Sequence, residues 1–142
     1  MQNDCQIVSQ RVFKFPRERM WRAFSDPGQL ARWWGPKGFT NTFYEFDLRP
    51  GGVWRFLMQG PNGAKYPNES RFVEVVEPER IVYDHVQPAF RMTITLADQA
   101  GKTELTWRML FSSASECAKF KNFVPEKNEE NFDRLEAHLT GK

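Results

Sequence analysis

Trp33-Trp34-Gly35-Pro36-Lys37-Gly38-Phe39, followed after a strand-like run by Asp47-Leu48-Arg49-Pro50-Gly51-Gly52, decides the reading of this chain. Two adjacent tryptophans carry a large apolar surface that is costly to leave in water. The Gly-Pro pair behind them stops any helix that bears them. The tryptophans therefore mark the buried end of a helix, and Pro-Gly-Gly marks a turn whose glycines can take positive φ. Upstream, Pro16 suits a first helical position, where its missing N–H is no loss. Met20, Trp21 and Phe24 follow at helical spacing. Asp26-Pro27 repeats the start signal, a carboxylate N-cap before a proline, and Leu30, Trp33 and Trp34 share one apolar face of a second short helix.

From Phe39 to Phe111 the period of the apolar residues drops to two. Tyr44, Phe46 and Leu48 fall on one face of a strand, and Trp54, Phe56 and Met58 return on one face after the turn. Pro61-Asn62-Gly63 and Glu77-Pro78-Glu79-Arg80 are further turns, flanking strands at Arg71 to Glu77 and Ile81 to Val86. Phe90, Met92, Ile94 and Leu96, then Leu105, Trp107, Met109 and Phe111, alternate cleanly with polar residues. Gln6 to Phe15 reads as a first strand. Ser113-Ala114-Ser115-Glu116 is a capping-box pattern that opens a C-terminal helix. Cys117, Phe120 and Val124 form its apolar stripe and Phe132, Leu135 and Leu139 its continuation, with a break expected between residues 122 and 126 at Pro125. The class is α+β: an antiparallel sheet of six to seven strands needs a cover for its apolar face, and the long C-terminal helix supplies it.

The order and spacing of Trp21-Arg22-Ala23-Phe24-Ser25-Asp26-Pro27, Trp33-Trp34-Gly35-Pro36, Pro50-Gly51-Gly52 and Asn131-Phe132-Asp133-Arg134-Leu135 closely resemble one family. It is the activator-of-heat-shock-protein-90-ATPase-homologue-like branch of the START-type helix-grip (SRPBCC) superfamily. The resemblance implies a sheet curved around the long helix, a cavity between the two, and residues 1–142 as one helix-grip domain. A chaperone partner is implied by the family label alone.

A chain of 142 residues buries about 68–70% of its unfolded surface, enough for a sizeable core. Lys and Arg number 20 against 18 Asp and Glu, a net charge of +2 without a basic run of five, so no nucleic-acid partner is expected. No run approaches the roughly 18 apolar residues of a spanning helix, so neither membrane insertion nor export is expected and the location reads as cytoplasmic. In that compartment Cys5 and Cys117 read as reduced, buried small hydrophobes. With only two histidines and no ligand cluster, no metal is expected. No cofactor is expected either, because Gly-rich phosphate loops are missing, and no Gly-x-Ser-x-Gly turn marks a catalytic serine. His138, near the end of the last helix, is assigned no chemistry.

What remains is the aromatic content, 13 Phe and 5 Trp. Taken singly each ring is a core residue; taken together Trp34, Phe46, Trp54, Phe56, Phe120 and Phe123 suit the wall of a pocket for a small apolar or aromatic, lipid-like molecule. Tyr83 and His85 are the candidates to offer it a hydrogen bond. Ser115 to Val124, ahead of the helix break, reads as a lid with few restraints. Glu45, Arg55 and Glu74 lie in strands of imperfect alternation, where some charge is able to face inward. Two alternatives stay open: a protein-interaction module, and a polyketide-cyclase-like or hydrolase-like enzyme using His85 or Tyr83. A homodimer also stays open.

Overall fold

The computed structural model describes residues 5–141. Strand β1 (Cys5–Phe13) leads into α1 (Arg17–Ser25) and α2 (Pro27–Trp33). Then come β2 (Thr40–Phe46), β3 (Val53–Gln59), β4 (Lys65–Val76), β5 (Arg80–His85), β6 (Phe90–Gln99) and β7 (Lys102–Phe111). Helices α3 (Ala114–Phe120) and α4 (Val124–Leu139) close the chain. The seven strands form one antiparallel sheet in the order β1-β7-β6-β5-β4-β3-β2. Helix α4 packs on β1, α1 and α2. This is the α+β helix-grip architecture expected from the alternation of the strands and the amphipathic C-terminal helix.

Local chemistry accounts for the helix boundaries. The Asp26 carboxylate accepts the Gly28 N–H at 3.0 Å, and Pro27 occupies the first turn of α2. The Ser113 hydroxyl accepts the Glu116 N–H at 3.2 Å to start α3. Pro16 is the extended N-cap of α1, one position before the place predicted for it. The break between α3 and α4 falls at residues 121–123, just before Pro125, which lies in the first turn of α4. The proline thus begins a helix rather than interrupting one, because a first-turn residue needs no N–H partner.

Three expectations are corrected. A β-bulge between Phe43 and Glu45 shifts the phase of β2, so Phe43 and Phe46 pack on the core while Tyr44 is exposed. The face assigned to Tyr44, Phe46 and Leu48 assumed an unbroken period of two, which an extra residue inverts. Strand β4 starts at Lys65 rather than near Arg71, extending its pairing with β3 through Tyr66, Asn68 and Ser70. Cys5 and Cys117 form a disulfide, their Cα atoms 5.9 Å apart. The reduced-thiol expectation rested on compartment alone, whereas the fold brings the start of β1 beside α3. Of the three charged residues in irregular strands, Glu45 pairs with Arg55 at 3.7 Å and Glu74 with Arg80 at 3.0 Å, all on the outer surface.

The β2–β3 turn is the tightest backbone approach. Gly51 adopts φ +85°, as the turn requires, with open space around it. Gly52 has no positive φ, but a Cβ there would overlap the Asp47 carbonyl. Gly63, in the β3–β4 turn, combines φ +87° with open space. Gly63→Ala should therefore cost only the strain of a left-handed residue, about 1–2 kcal/mol. Gly52→Ala, which must displace the backbone of the turn, should cost more. Urea unfolding of the two variants checks the order.

Candidate functional site

The strand register builds one wall. Phe46, Trp54, Ser70, His85, Phe90 and Phe111 stand in a single row across β2 to β7. The next row on the same face holds Phe72, Tyr83, Met92 and Met109, and the one beyond it Ile81, Ile94 and Trp107. Ser70 is the small member between Trp54 and His85, and it opens room in front of itself. Across the gap stand Trp34 at the end of α2, Asn128 and Asn131 on α4, and Phe120, Phe123 and Val124 at the junction of α3 and α4. Between these walls lies a cleft of about 350 Å³.

Trp34, Trp54, Phe56, Tyr83, His85, Phe120 and Phe123, all read from the sequence as site candidates, line this cleft. Phe46 does not. With Phe24, Leu48 and Phe72 it surrounds a void of only about 10 Å³ on the other side of Trp34, Trp54 and Tyr83, which border both spaces. Phe123 is 46% exposed and Tyr66 47%, so they form the rim. Met92, Trp107 and Met109 were legible as inward-facing residues, although not as lining of this space. Asn68 and Ser70 fell in a segment where no strand was read. Asn128 and Asn131 gave a weaker signal: polar residues at helical spacing beside the apolar stripe of α4.

The position of Trp34 is set by hydrogen bonds from α4. The Arg134 guanidinium donates to the carbonyls of Arg32, Trp34, Gly35 and Pro36 at 2.9–3.1 Å. The Asn131 side chain donates to the Trp33 carbonyl at 2.8 Å and accepts the Gly35 N–H at 3.1 Å. Asn41 donates to the carbonyls of Ala31 and Trp34 at 3.0 and 2.9 Å. The indole of Trp34, so held, lies 5.1 Å from that of Trp54 and 5.2 Å from that of Trp107.

His85 and Tyr83 are the titratable groups in the β5 part of the wall. Burial pushes the Tyr83 hydroxyl above its ordinary range, so it stays protonated. His85 stacks on Phe90 at 4.8 Å. Its Nδ1 lies 2.8 Å from the Pro88 carbonyl and its Nε2 2.8 Å from the Asn68 side-chain oxygen, while Asn68 Nδ2 donates to Tyr66 O at 3.0 Å. Two acceptors facing both ring nitrogens would suit an imidazolium. Burial outweighs this and holds the His85 pKa below its ordinary value, opposed by the bond to Pro88. In the neutral ring Nδ1–H donates to Pro88, and Nε2 accepts from Asn68 once that carboxamide is turned end for end.

The lid read from Ser115 to Val124 is more restrained than expected. The disulfide fixes the middle of α3 to β1, and Phe120 stacks on Phe111 at 5.4 Å and meets Phe123 at 5.7 Å.

Residues 14–140 match the family model described as Activator of Hsp90 ATPase homolog 1-like protein. The chain belongs to this family. Among solved structures, protein Ms6760 from Mycobacterium smegmatis is similar at 27% identity and a TM-score of 0.88, over 96% of this chain and 91% of that one. Protein CV1439 from Chromobacterium violaceum is 29% identical with a TM-score of 0.81, over 96% of both chains. Comparison with curated proteins finds no match. Among the described residues of this Hsp90-ATPase-activator homologue-like chain, no helix is long and apolar enough to cross a membrane.

Two predictions follow from this geometry. Asn131→Ala leaves the Trp33 carbonyl and the Gly35 N–H without partners in a buried place, and should lower stability by about 2 kcal/mol or more. Guanidinium titration followed by tryptophan fluorescence measures it. The second concerns pH. His138, like His85, is held below the ordinary histidine value, by burial and by the neighbouring Arg19 and Arg32. Both rings take up a proton more readily in the unfolded chain. Stability is therefore full above the unfolded pKa of 6.5 and falls as pH drops through it toward the lower folded values. The denaturation midpoint should decline between about pH 7.5 and about pH 5.5, and His85→Gln should flatten part of that decline.

Proposed function

We propose that this chain binds a small apolar or aromatic molecule in the cleft between the sheet and α4. One observation carries the reading: a cleft of about 350 Å³ sits beside a core otherwise packed down to a void of about 10 Å³. A folded domain that packs most of its interior closely has little reason to retain an aromatic-walled space of ligand size unless something occupies it. The lining fits such an occupant, with rings on three sides and a few polar groups at fixed positions.

Burying about 300 Å² of apolar ligand surface at roughly 25 cal/mol/Å² gives a gross gain of about 7 kcal/mol. Association entropy removes several of these, which places the affinity between micromolar and millimolar. Titration of the labelled protein with lipophilic aromatics and fatty acids, followed by backbone amide shifts, tests the reading. Shifts should cluster at Trp34, Trp54, Phe56, Tyr83, His85, Phe120 and Phe123. If no compound moves them, and Phe56→Ala costs stability alone, the rings are only core and a protein-interaction role takes precedence.

A further inference from the structure

The polar atoms of the cleft select among apolar ligands. Among the described residues, five buried side-chain polar atoms have no hydrogen-bond partner: Arg17 Nε, Asn41 Oδ1, Trp54 Nε1, Ser70 Oγ and Trp107 Nε1. The last three belong to residues that line the same cleft, and those residues are only 2%, 1% and 2% exposed. Buried polar groups are paired in the great majority of cases, and each exception calls for a reason. Chance scatter is a weak one here, because Trp54, Ser70 and Trp107 stand on three different strands and converge on one space. The nearby Trp33 provides the contrast: its indole N–H donates to the Ala23 carbonyl at 3.0 Å.

The three groups share a sense. An indole N–H is a donor only, and a serine hydroxyl donates as well as accepts. The lining residues offer little fixed positive charge to go with them. Lys127 is exposed and pairs with Glu130 at 3.8 Å, and His85 carries the two partners described above. A carboxylate buried against these donors would leave its charge without a cation, which is costly. A neutral carbonyl oxygen accepts the same hydrogen bonds without that cost.

Building on the binding reading above, we infer that the ligand is a neutral aromatic molecule bearing a carbonyl oxygen, recognised by the indole N–H groups of Trp54 and Trp107 with the Ser70 hydroxyl. A purely apolar site would rank ligands by hydrophobicity. This site ranks them by the acceptor they carry.

Matched probes separate these outcomes: fluorene, 9-fluorenone, which has the same ring skeleton with a carbonyl, and fluorene-9-carboxylate. Affinities come from titration of the intact chain, and the indole N–H resonances of its five tryptophans report the contact. Fluorenone should bind about tenfold more tightly than fluorene, the worth of one net hydrogen bond, and the carboxylate more weakly than fluorenone. The indole signals of Trp54 and Trp107 should move downfield with fluorenone, while that of Trp33 stays. Trp107→Phe, which keeps an aromatic ring but removes the donor, should bring the fluorenone-to-fluorene ratio toward one. Ser70→Ala, the milder change, should lower the same ratio if the tryptophan variant does not fold. Fluorene binding as well as or better than fluorenone would overturn the carbonyl inference while leaving the binding reading intact. A preference for the carboxylate would overturn the neutral class. If none of the three probes binds, both the inference and the binding reading fall.

Discussion

Everything in this fold hangs on one polar junction, where α4 takes over the carbonyl end of α2. A helix leaves its last four carbonyls without intrahelical partners, and α2 is only seven residues long, so much of its backbone needs outside donors. Asn41, Asn131 and Arg134 supply them to the carbonyls between Ala31 and Pro36. A planar guanidinium suits this task because its donors form a rigid fork that reaches several acceptors at once. The backbone must turn sharply under it. Gly35 does so at φ +103°, and a Cβ there would press on Met58 and Phe39. The Trp-Trp-Gly-Pro stretch and the Asn-Phe-Asp-Arg-Leu stretch, almost a hundred residues apart, are thus two halves of one contact.

The cleft is a consequence of that contact. With Trp33 and Trp34 pinned by their own carbonyls, Trp34 cannot slide to fill space, and it meets Trp54 and Trp107 on β3 and β7 in tilted or edge contacts. Large rings held in such geometry divide the interior unequally. On the side of Phe24, Phe46 and Phe72 smaller side chains close the gap to about 10 Å³. On the side of Ser70 and α4 the partners are a serine, asparagines and the rim phenylalanines, and about 350 Å³ stays open. Leaving buried donors unpaired there lowers stability. Arg11 offsets some of it by tying β1 to Glu129, Asp133 and Glu136 of α4 at 2.7–3.3 Å.

How much of this was legible follows from the range of each signal. Strand alternation and helix caps are local, so the element order, the inward faces of β3, β6 and β7, and the α+β class could be read directly. The bulge at Phe43 inserts one residue that no turn signal announces, and every later side chain of β2 changes face. Lys65 to Ser70 contains Pro67 and mostly polar residues, so its pairing with β3 is imposed by the neighbouring strand rather than by its own pattern. Seven of the eight candidate residues reach the cleft because they alternate on elements whose phase was read correctly. Phe46 lies beyond Trp54 in the same row and misses it. The disulfide and the Asn131–Arg134 cap are contacts between distant segments, which spacing along one chain does not encode.

The disulfide changes where the cleft can open. A ten-residue lid swinging from Ser115 would need α3 to leave the sheet, yet Cys117 is fully buried and bonded to Cys5 at the start of β1. The anchor lies before Phe120, so the portion beyond it has separate freedom: Lys121 to Phe123, the non-helical link between α3 and α4. Phe120 and Phe123 sit at either end of this link, in edge contact with each other, and Phe123 is half in solvent. Rotating two side chains and a three-residue link exposes far less apolar surface than lifting a helix. Entry by that route requires no break in the core, the cap or the disulfide, which reconciles a closely held α3 with an accessible space behind it.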